Sequence, residues 1–244
     1  MAYDYDEGRA AAYDRAHAER FAEAPAVASA LAALVPGAGR RVLELGVGTG
    51  RLALPLAERG FEVTGIDSSE AMVARLLAKP GGDRLGLVIG DFGDVAKLVH
   101  GQFDLVFVAF NTLFELADQQ AQVACFAGVA ERLGPGGVFV VEAVAPDLTR
   151  LDQTVTAVAA GADRTVLQAT RHDPATQQVT GADVSFAPDG AVSVSPWSIR
   201  YASVAELDLM ARLAGLRLVE RWGGWHRQPF TAASAVHVSV YGRP

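Results

Sequence analysis

The sequence predicts an α/β protein built on a doubly wound, mostly parallel sheet, carrying an inserted antiparallel β-layer and a C-terminal antiparallel strand pair. Three observations predict it. Between residues 36 and 145 short apolar runs alternate with helical patterns, which implies right-handed βαβ crossovers. The runs at 41–45, 103–109 and 137–143 are nearly continuously apolar, as strands buried on both faces are. After Pro146 the chain turns to β-branched, partly alternating segments, a different architecture. At 244 residues the whole fits one decorated α/β domain, or two small ones at most.

The elements follow in chain order. Residues 1–35 form an N-terminal helical region. Its first 21 residues are polar and aromatic, with Tyr3, Tyr5 and Tyr13 among charges, and an alanine-rich helical pattern runs over 25–35 until Pro36 and Gly37 close it. The core spans 36–146 and 203–244. Its first five strands are expected at 41–45, 62–66, 85–89, 103–109 and 137–143, with helices at 51–58, 69–78 and 117–133. Residues 147–202 form the inserted layer, of about three strands at 164–172, 177–187 and 191–201. Asp173-Pro174 and Pro188-Asp189-Gly190 supply its turns. Ser203 and Glu206 have capping-box spacing and open a helix that ends at Gly215. Runs at 216–222 and 235–241 then read as an antiparallel pair at one sheet edge.

Composition excludes several functions. Half the residues are hydrophobic and a fifth are charged, too apolar for a disordered chain. A net charge of −7 without like-charge blocks disfavours nucleic acid and anionic membranes as partners. No apolar run reaches the roughly 18–20 residues of a membrane span. The first residues lack a basic end followed by an apolar stretch, so a cytoplasmic location is expected. The lone cysteine, Cys125, excludes a disulfide framework and a cysteine-rich metal site, and its apolar setting predicts a buried structural thiol.

The chemistry sits in the stretch from Val42 to Leu52, where an apolar strand enters three alternating glycines, Gly46, Gly48 and Gly50, and then a helix. Glycine lets a ligand approach main-chain N–H groups with no Cβ in the way. The spacing is G-x-G-x-G, not the G-x-G-x-x-G that seats a pyrophosphate. Glu44, just before the loop, repels a diphosphate and suits a ligand carrying an ammonium group. Asp67 ends the second strand, where a carboxylate can accept hydrogen bonds from both hydroxyls of a ribose. Asp91 and Phe92 follow the third strand, an amine-accepting carboxylate beside an aromatic ring where adenine fits.

On these residues the chain resembles the class I S-adenosylmethionine-dependent methyltransferases, whose core is Rossmann-like; the resemblance covers about 36–145 and 203–244. It implies S-adenosyl-L-methionine as cofactor, with Glu44, Gly46, Gly48 and Gly50 at the methionine end, Asp67 at the ribose, and Asp91 and Phe92 at adenine. The run from Phe103 to Asn111 resembles the family's fourth-strand motif, which places Ala109 beside the transferable methyl. Leu133 to Gly137 matches the turn into the fifth strand. Tyr13 resembles an N-terminal lid tyrosine that closes over the cofactor, making 1–35 a lid and 147–202 a substrate cap.

The sulfonium methyl is already electrophilic, so the protein must chiefly hold a nucleophile in line with it, and a base matters only for a protonated acceptor. Strand-end topology points acceptor groups toward the 147–202 insertion, the 222–234 loop and the N-terminal segment. A pocket closed by three such segments suits a small-molecule methyl acceptor, methylated on N or O. Two candidates for the catalytic groups stand out. Asn111, the only asparagine, either orients an acceptor or caps a turn, and His226 is the candidate base. His172 is expected at the surface, and His237, between Val236 and Val238, is expected to face solvent. Arg200 and Tyr201 either bind an acidic or hydroxylated substrate or pair locally. Trp197, Trp222 and Trp225 either line an acceptor pocket or pack in the core. No metal is implied. Edges of the inserted sheet leave room for a homodimer. The alternatives are a protein that binds S-adenosylmethionine without transferring methyl and, less favoured, an NAD(P)-dependent oxidoreductase.

Overall fold

The computed structural model describes residues 5–146, 154–161 and 164–244. Tyr3 and the start of the insertion at 147–153 therefore lie outside the described residues. A seven-stranded sheet is formed by β1 (Arg41–Leu45), β2 (Glu62–Asp67), β3 (Gly86–Ile89), β4 (Phe103–Val108), β5 (Leu133–Val144), β10 (Arg217–Trp222) and β11 (Val236–Gly242). Their order is β10-β11-β5-β4-β1-β2-β3. Every pairing from β3 to β5 is parallel, and β11 runs antiparallel between β5 and β10. The order reverses beside β1, so the ends of β1 and β4 flank a crevice, the usual ligand site of open α/β sheets.

Helices cover both faces. On one side α2 (Ala18–Ala32), α3 (Ala53–Glu58) and Leu76 of α4 (Glu70–Leu77) pack on Val42, Leu105, Phe107, Val140 and Val238. On the other, α5 (Val95–Leu98), α6 (Gln119–Arg132) and α7 (Val204–Leu213) pack on Leu43, Val106, Phe139, Val141 and Tyr241. Cys125 is fully buried there, and burial pushes its thiol well above the usual range, consistent with an inert structural role. The capping box forms: the Ser203 side chain accepts the Glu206 N–H and opens α7.

Among its described residues the N-terminal helical region holds two helices, the first being α1 (Glu7–Ala16), capped by the Asp6 side chain, which accepts the Arg9 N–H. Two expectations need correction. Helix α2 starts at Ala18, not Pro25. The proline is inside the helix, where it forgoes one N–H donor without ending the element. Among its described residues the insertion holds four strands, β6 (Thr154–Ala160), β7 (Thr165–Asp173), β8 (Gln178–Phe186) and β9 (Val192–Arg200), in an antiparallel sheet of that order. The extra strand, β6, is an exposed edge whose Thr-Val-Ala sequence shows no burial alternation. Buried Arg200 ties this sheet to the core: it donates to Gln122 and Gln177 and pairs with Glu206 at 2.6 Å.

His237 is also corrected, from solvent-facing to fully buried. Its strand β11 lies between two others, so both faces are covered, and the face opposite Val238 meets Phe230 and Ser239. Burial, helped by the Arg221 charge, lowers its pKa from 6.5 to about 4. Since the folded-state value is the lower one, its contribution to stability is intact above pH 6.5 and is lost as pH falls toward 4. Urea titrations between pH 7.5 and 4 are expected to show His237→Gln losing about 3 kcal/mol less than wild type over that window. Identical slopes for the two proteins would refute the assignment.

Candidate active site

The glycine loop is built on strain that only glycine relieves. Gly46, Gly48 and Gly50 all have left-handed backbones, with φ of 72°, 54° and 83°. A Cβ on Gly46 would stand 2.3 Å from Thr112 Cγ2, and one on Gly50 would stand 2.0 Å from Leu76 Cδ1. The loop is thus pressed between the turn after β4 and α4. Main-chain N–H groups of Gly46 and Val47 bond to the Ile66 carbonyl, and the Gly48 N–H donates to Asp67 Oδ2 at 2.7 Å. Asp67 Oδ1 accepts the Ser69 N–H at 2.9 Å, so one carboxylate joins the loop to the end of β2.

Two cavities meet over this loop. The first is bordered by Asp67, Asp91, Phe92, Glu115, Tyr5 and Tyr13, and the second by Glu44, Thr49, Arg51, Ala109, Phe110 and Tyr13. Gly46, Gly48, Thr112 and Tyr13 border both, so Tyr13 stands at the junction. Burial, partly countered by Arg51, pushes its phenol up to about 12, so it stays protonated at neutral pH. The first cavity is ringed by carboxylates. Burial raises the Asp67 pKa, while burial and the Asp67 charge raise that of Glu115 to about 7. Asp91 caps the short turn after β3, its Oδ1 accepting the Gly93 N–H, beside the buried Phe92 ring.

In the second cavity Glu44 is 5 % exposed, and its Oε2 is buried with no partner among the described residues. Burial, only partly offset by Arg51, raises its pKa to about 8. A desolvated, unsatisfied carboxyl is unfavourable by itself and invites a cationic ligand group. Arg51, across the same cavity, offers a complementary guanidinium.

Comparison with known proteins accords with this geometry. Residues 42–137 match a family model described as a methyltransferase domain. Over 210 residues, 84 % of each chain, the sequence is 32 % identical to the cypemycin N-terminal methyltransferase of a Streptomyces species. This chain is a class I S-adenosylmethionine-dependent methyltransferase. The solved CcbJ methyltransferase of Streptomyces caelestis is also similar, at 42 % identity and a TM-score of 0.84, covering 91 % of this chain and 89 % of that one. The sugar N-methyltransferase KedS8 of Streptoalloteichus shares the fold at 20 % identity and a TM-score of 0.70, covering 100 % of this chain and 94 % of its own.

The methyltransferase takes S-adenosylmethionine as cofactor, and the residues present fit it. A buried carboxyl with one unpartnered oxygen and an arginine suit the charged ends of an amino acid, three left-handed glycines leave main-chain room, and an acid-rich cavity beside Phe92 suits a nucleoside better than a phosphate.

Nine of the eleven site residues expected from sequence gather here: Tyr13, Glu44, Gly46, Gly48, Asp67, Asp91, Phe92 and Ala109 border the cavities, and Gly50 shapes the loop beneath them. Asn111 borders neither. It has φ 67°, and its Oδ1 accepts the Val144 N–H at 2.6 Å, so its side chain clamps the end of β4 to β5. Phe110 before it is also left-handed, at φ 57°, held by the buried Glu142, whose Oε2 accepts the Phe110 N–H at 2.9 Å. His226 is exposed and borders neither cavity. Bonds between Gly223 and Gln228 close its loop into a tight turn, and Trp225 packs inward on the α2 side, which leaves its neighbour in solvent.

Arg200 and Tyr201 both pair within the protein, Arg200 with Glu206 and the Tyr201 hydroxyl with His172 Nε2 at 3.1 Å, which leaves His172 half-buried and not fully exposed. Trp222 is core, and the Trp197 Nε1–H donates to Asp183. Sequence reasoning missed Tyr5, Arg51, Thr112 and Glu115. Tyr5, Thr112 and Glu115 lie outside the strand-end motifs, and Arg51, directly after the third glycine, carried the one local signal.

Proposed function

We propose that the methyltransferase transfers a methyl group from S-adenosylmethionine to the amine nitrogen of a small molecule or of a short peptide's end. The observation that carries the cofactor side is the buried Glu44 carboxyl, whose Oε2 has no partner among the described residues, facing a guanidinium across a cavity floored by left-handed glycines. In this reading Glu44 holds the cofactor ammonium and Arg51 its carboxylate. Asp67 accepts from the ribose hydroxyls, and Asp91 and Phe92 flank adenine. Tyr13 stands at the junction of the two cavities, and Ala109 borders the second of them. The N-terminal name of the 32 %-identical relative supports an amine acceptor.

Bound S-adenosylmethionine supplies an electrophilic methyl on a cationic sulfur, so the chain's residues have to bind, orient and exclude water. Tyr13 and Tyr5 roof the cavity with rings 5.8 Å apart. Tyr13 continues to His17 at 4.6 Å and His17 to Phe110 at 5.2 Å, an aromatic row bounding the side from which an acceptor approaches. Burial together with Arg51 and Arg20 lowers the His17 pKa, so its imidazole is neutral at pH 7 and adds no cation to this row.

The reading is tested by titrating the protein calorimetrically with S-adenosylmethionine and with NAD(P), then incubating it with methyl-labelled cofactor and a panel of amines and alcohols. Dinucleotide binding alone, or labelling confined to alcohols, overturns it.

The charge on Glu44 gives a further expected result. With its pKa near 8 the free carboxyl is mostly protonated at pH 7, and a bound ammonium favours the carboxylate. Cofactor binding is therefore expected to release close to one proton at pH 7 and to tighten as pH rises toward 8. Binding enthalpies in buffers of different ionisation enthalpy read this directly. Glu44→Gln is expected to abolish the buffer dependence; a dependence unchanged in that variant assigns the proton elsewhere.

A further inference from the structure

Helix α1 buries little apolar surface: Ala10 is its one fully buried residue, and Tyr13 is half-buried over the cavities. Polar ties hold it over the cavities. The Ser69 hydroxyl donates to the Tyr5 carbonyl at 2.8 Å. A closed triangle fixes the other end: Thr49 Oγ1 donates to Asp14 Oδ1 at 2.6 Å, Lys79 Nζ meets Asp14 Oδ2 at 2.5 Å, and Lys79 Nζ donates to the Thr49 carbonyl at 2.7 Å. Lys79 Nζ also stands 4.9 Å from the centroid of the Phe21 ring on α2.

Each corner touches a different part of the site. Thr49, 2 % exposed, is the residue between the second and third glycines, and Asp14 follows Tyr13, which borders both cavities. Lys79 lies just beyond α4, the helix that follows Asp67. Among 21 basic residues only two are lysines, and this is one. A compact ammonium with three donors fits a carboxylate oxygen, a carbonyl and a ring face at once, which a planar guanidinium does not.

We propose that Lys79 is a positioning residue that latches the segment from Tyr5 to His17 over the bound cofactor and so sets the cofactor's residence time. Tyr5 and Tyr13 roof the cavity, so the cofactor leaves only when this segment lifts. Lifting requires the triangle of Asp14, Lys79 and Thr49 to open. The inference rests on the cofactor assignment made above.

The test follows dissociation of S-adenosylhomocysteine from the full chain by stopped flow, with excess S-adenosylmethionine as the trap. Lys79→Met is expected to speed dissociation about tenfold, and Lys79→Arg by less. Asp14→Asn is expected to act similarly, and the double variant to be no faster than the faster single one, because both remove the same latch. The melting temperature of the unliganded protein, which a merely structural role would lower, is expected to stay close to that of wild type. If Lys79→Met fails to fold, Asp14→Asn carries the same measurement. Wild-type dissociation rates in both single variants, or multiplicative effects in the double one, overturn the latch alone. A wild-type protein that takes up no S-adenosylhomocysteine overturns the cofactor assignment and the latch with it.

Discussion

Asp67→Ala is expected to weaken S-adenosylmethionine binding about 100- to 1000-fold, the largest effect of any single change in the site. A carboxylate accepting from two ribose hydroxyls makes two charge-assisted hydrogen bonds, together worth about 3–5 kcal/mol, or roughly two to three decades of affinity. The same side chain accepts the Gly48 and Ser69 N–H groups, so alanine also frees the glycine loop from the end of β2. Asp67→Asn separates the two contributions, because an amide oxygen can still accept one of those N–H groups but presents no charge to the sugar. Calorimetry gives the affinities and thermal melting the loop's share. An alanine variant that folds and binds as wild type would show that the ribose lies elsewhere.

Gly50→Ala is expected to be the most destabilising single-methyl addition in the loop, lowering stability by about 2–5 kcal/mol. The left-handed backbone at φ 83° is unfavourable for any residue with a Cβ, and here that carbon would meet Leu76 Cδ1 at 2.0 Å. Gly60→Ala is the control. Gly60 has nearly the same φ, 85°, with nothing within 4 Å of the added carbon, so only the conformational part remains, about 1 kcal/mol. Urea unfolding of both variants isolates the close approach of the loop to α4. Equal losses would show that Leu76 yields and that the loop is not clamped as described.

The elements legible in the sequence were those whose signal is local. Residues 41–45 read as a strand and are one, because a continuous apolar run flanked by turns has few other uses. The helix after Ser203 was marked by its own cap. The acids at 44, 67 and 91 and the glycine loop after the first were legible for the same reason: each lies at or just beyond the end of a strand, so chain order alone brings them to one edge of the sheet.

What the sequence hid depends on partners distant along the chain. The helix Glu7–Ala16 has a weak apolar face, and its place is decided by Thr49 and Lys79, which lie 35 and more residues away. His237 looks like the exposed phase of an alternating strand until β10 and β5 enclose that strand and Phe230 covers the ring. His226 looks like a catalytic base until its turn closes and Trp225 takes the inward position.

By itself the sequence determined the parallel strands, their crossovers and the glycine loop that follows the first of them, because strand periodicity and glycine spacing are written within a few residues of one another. Only the tertiary structure decided which side chains are desolvated together. One oxygen of Glu44 is left without a partner, Tyr13 stands between two cavities, and Lys79 joins the helix Glu7–Ala16 to the glycine loop, because burial and electrostatic partnership are set by distance in space, which the order of residues along the chain does not fix.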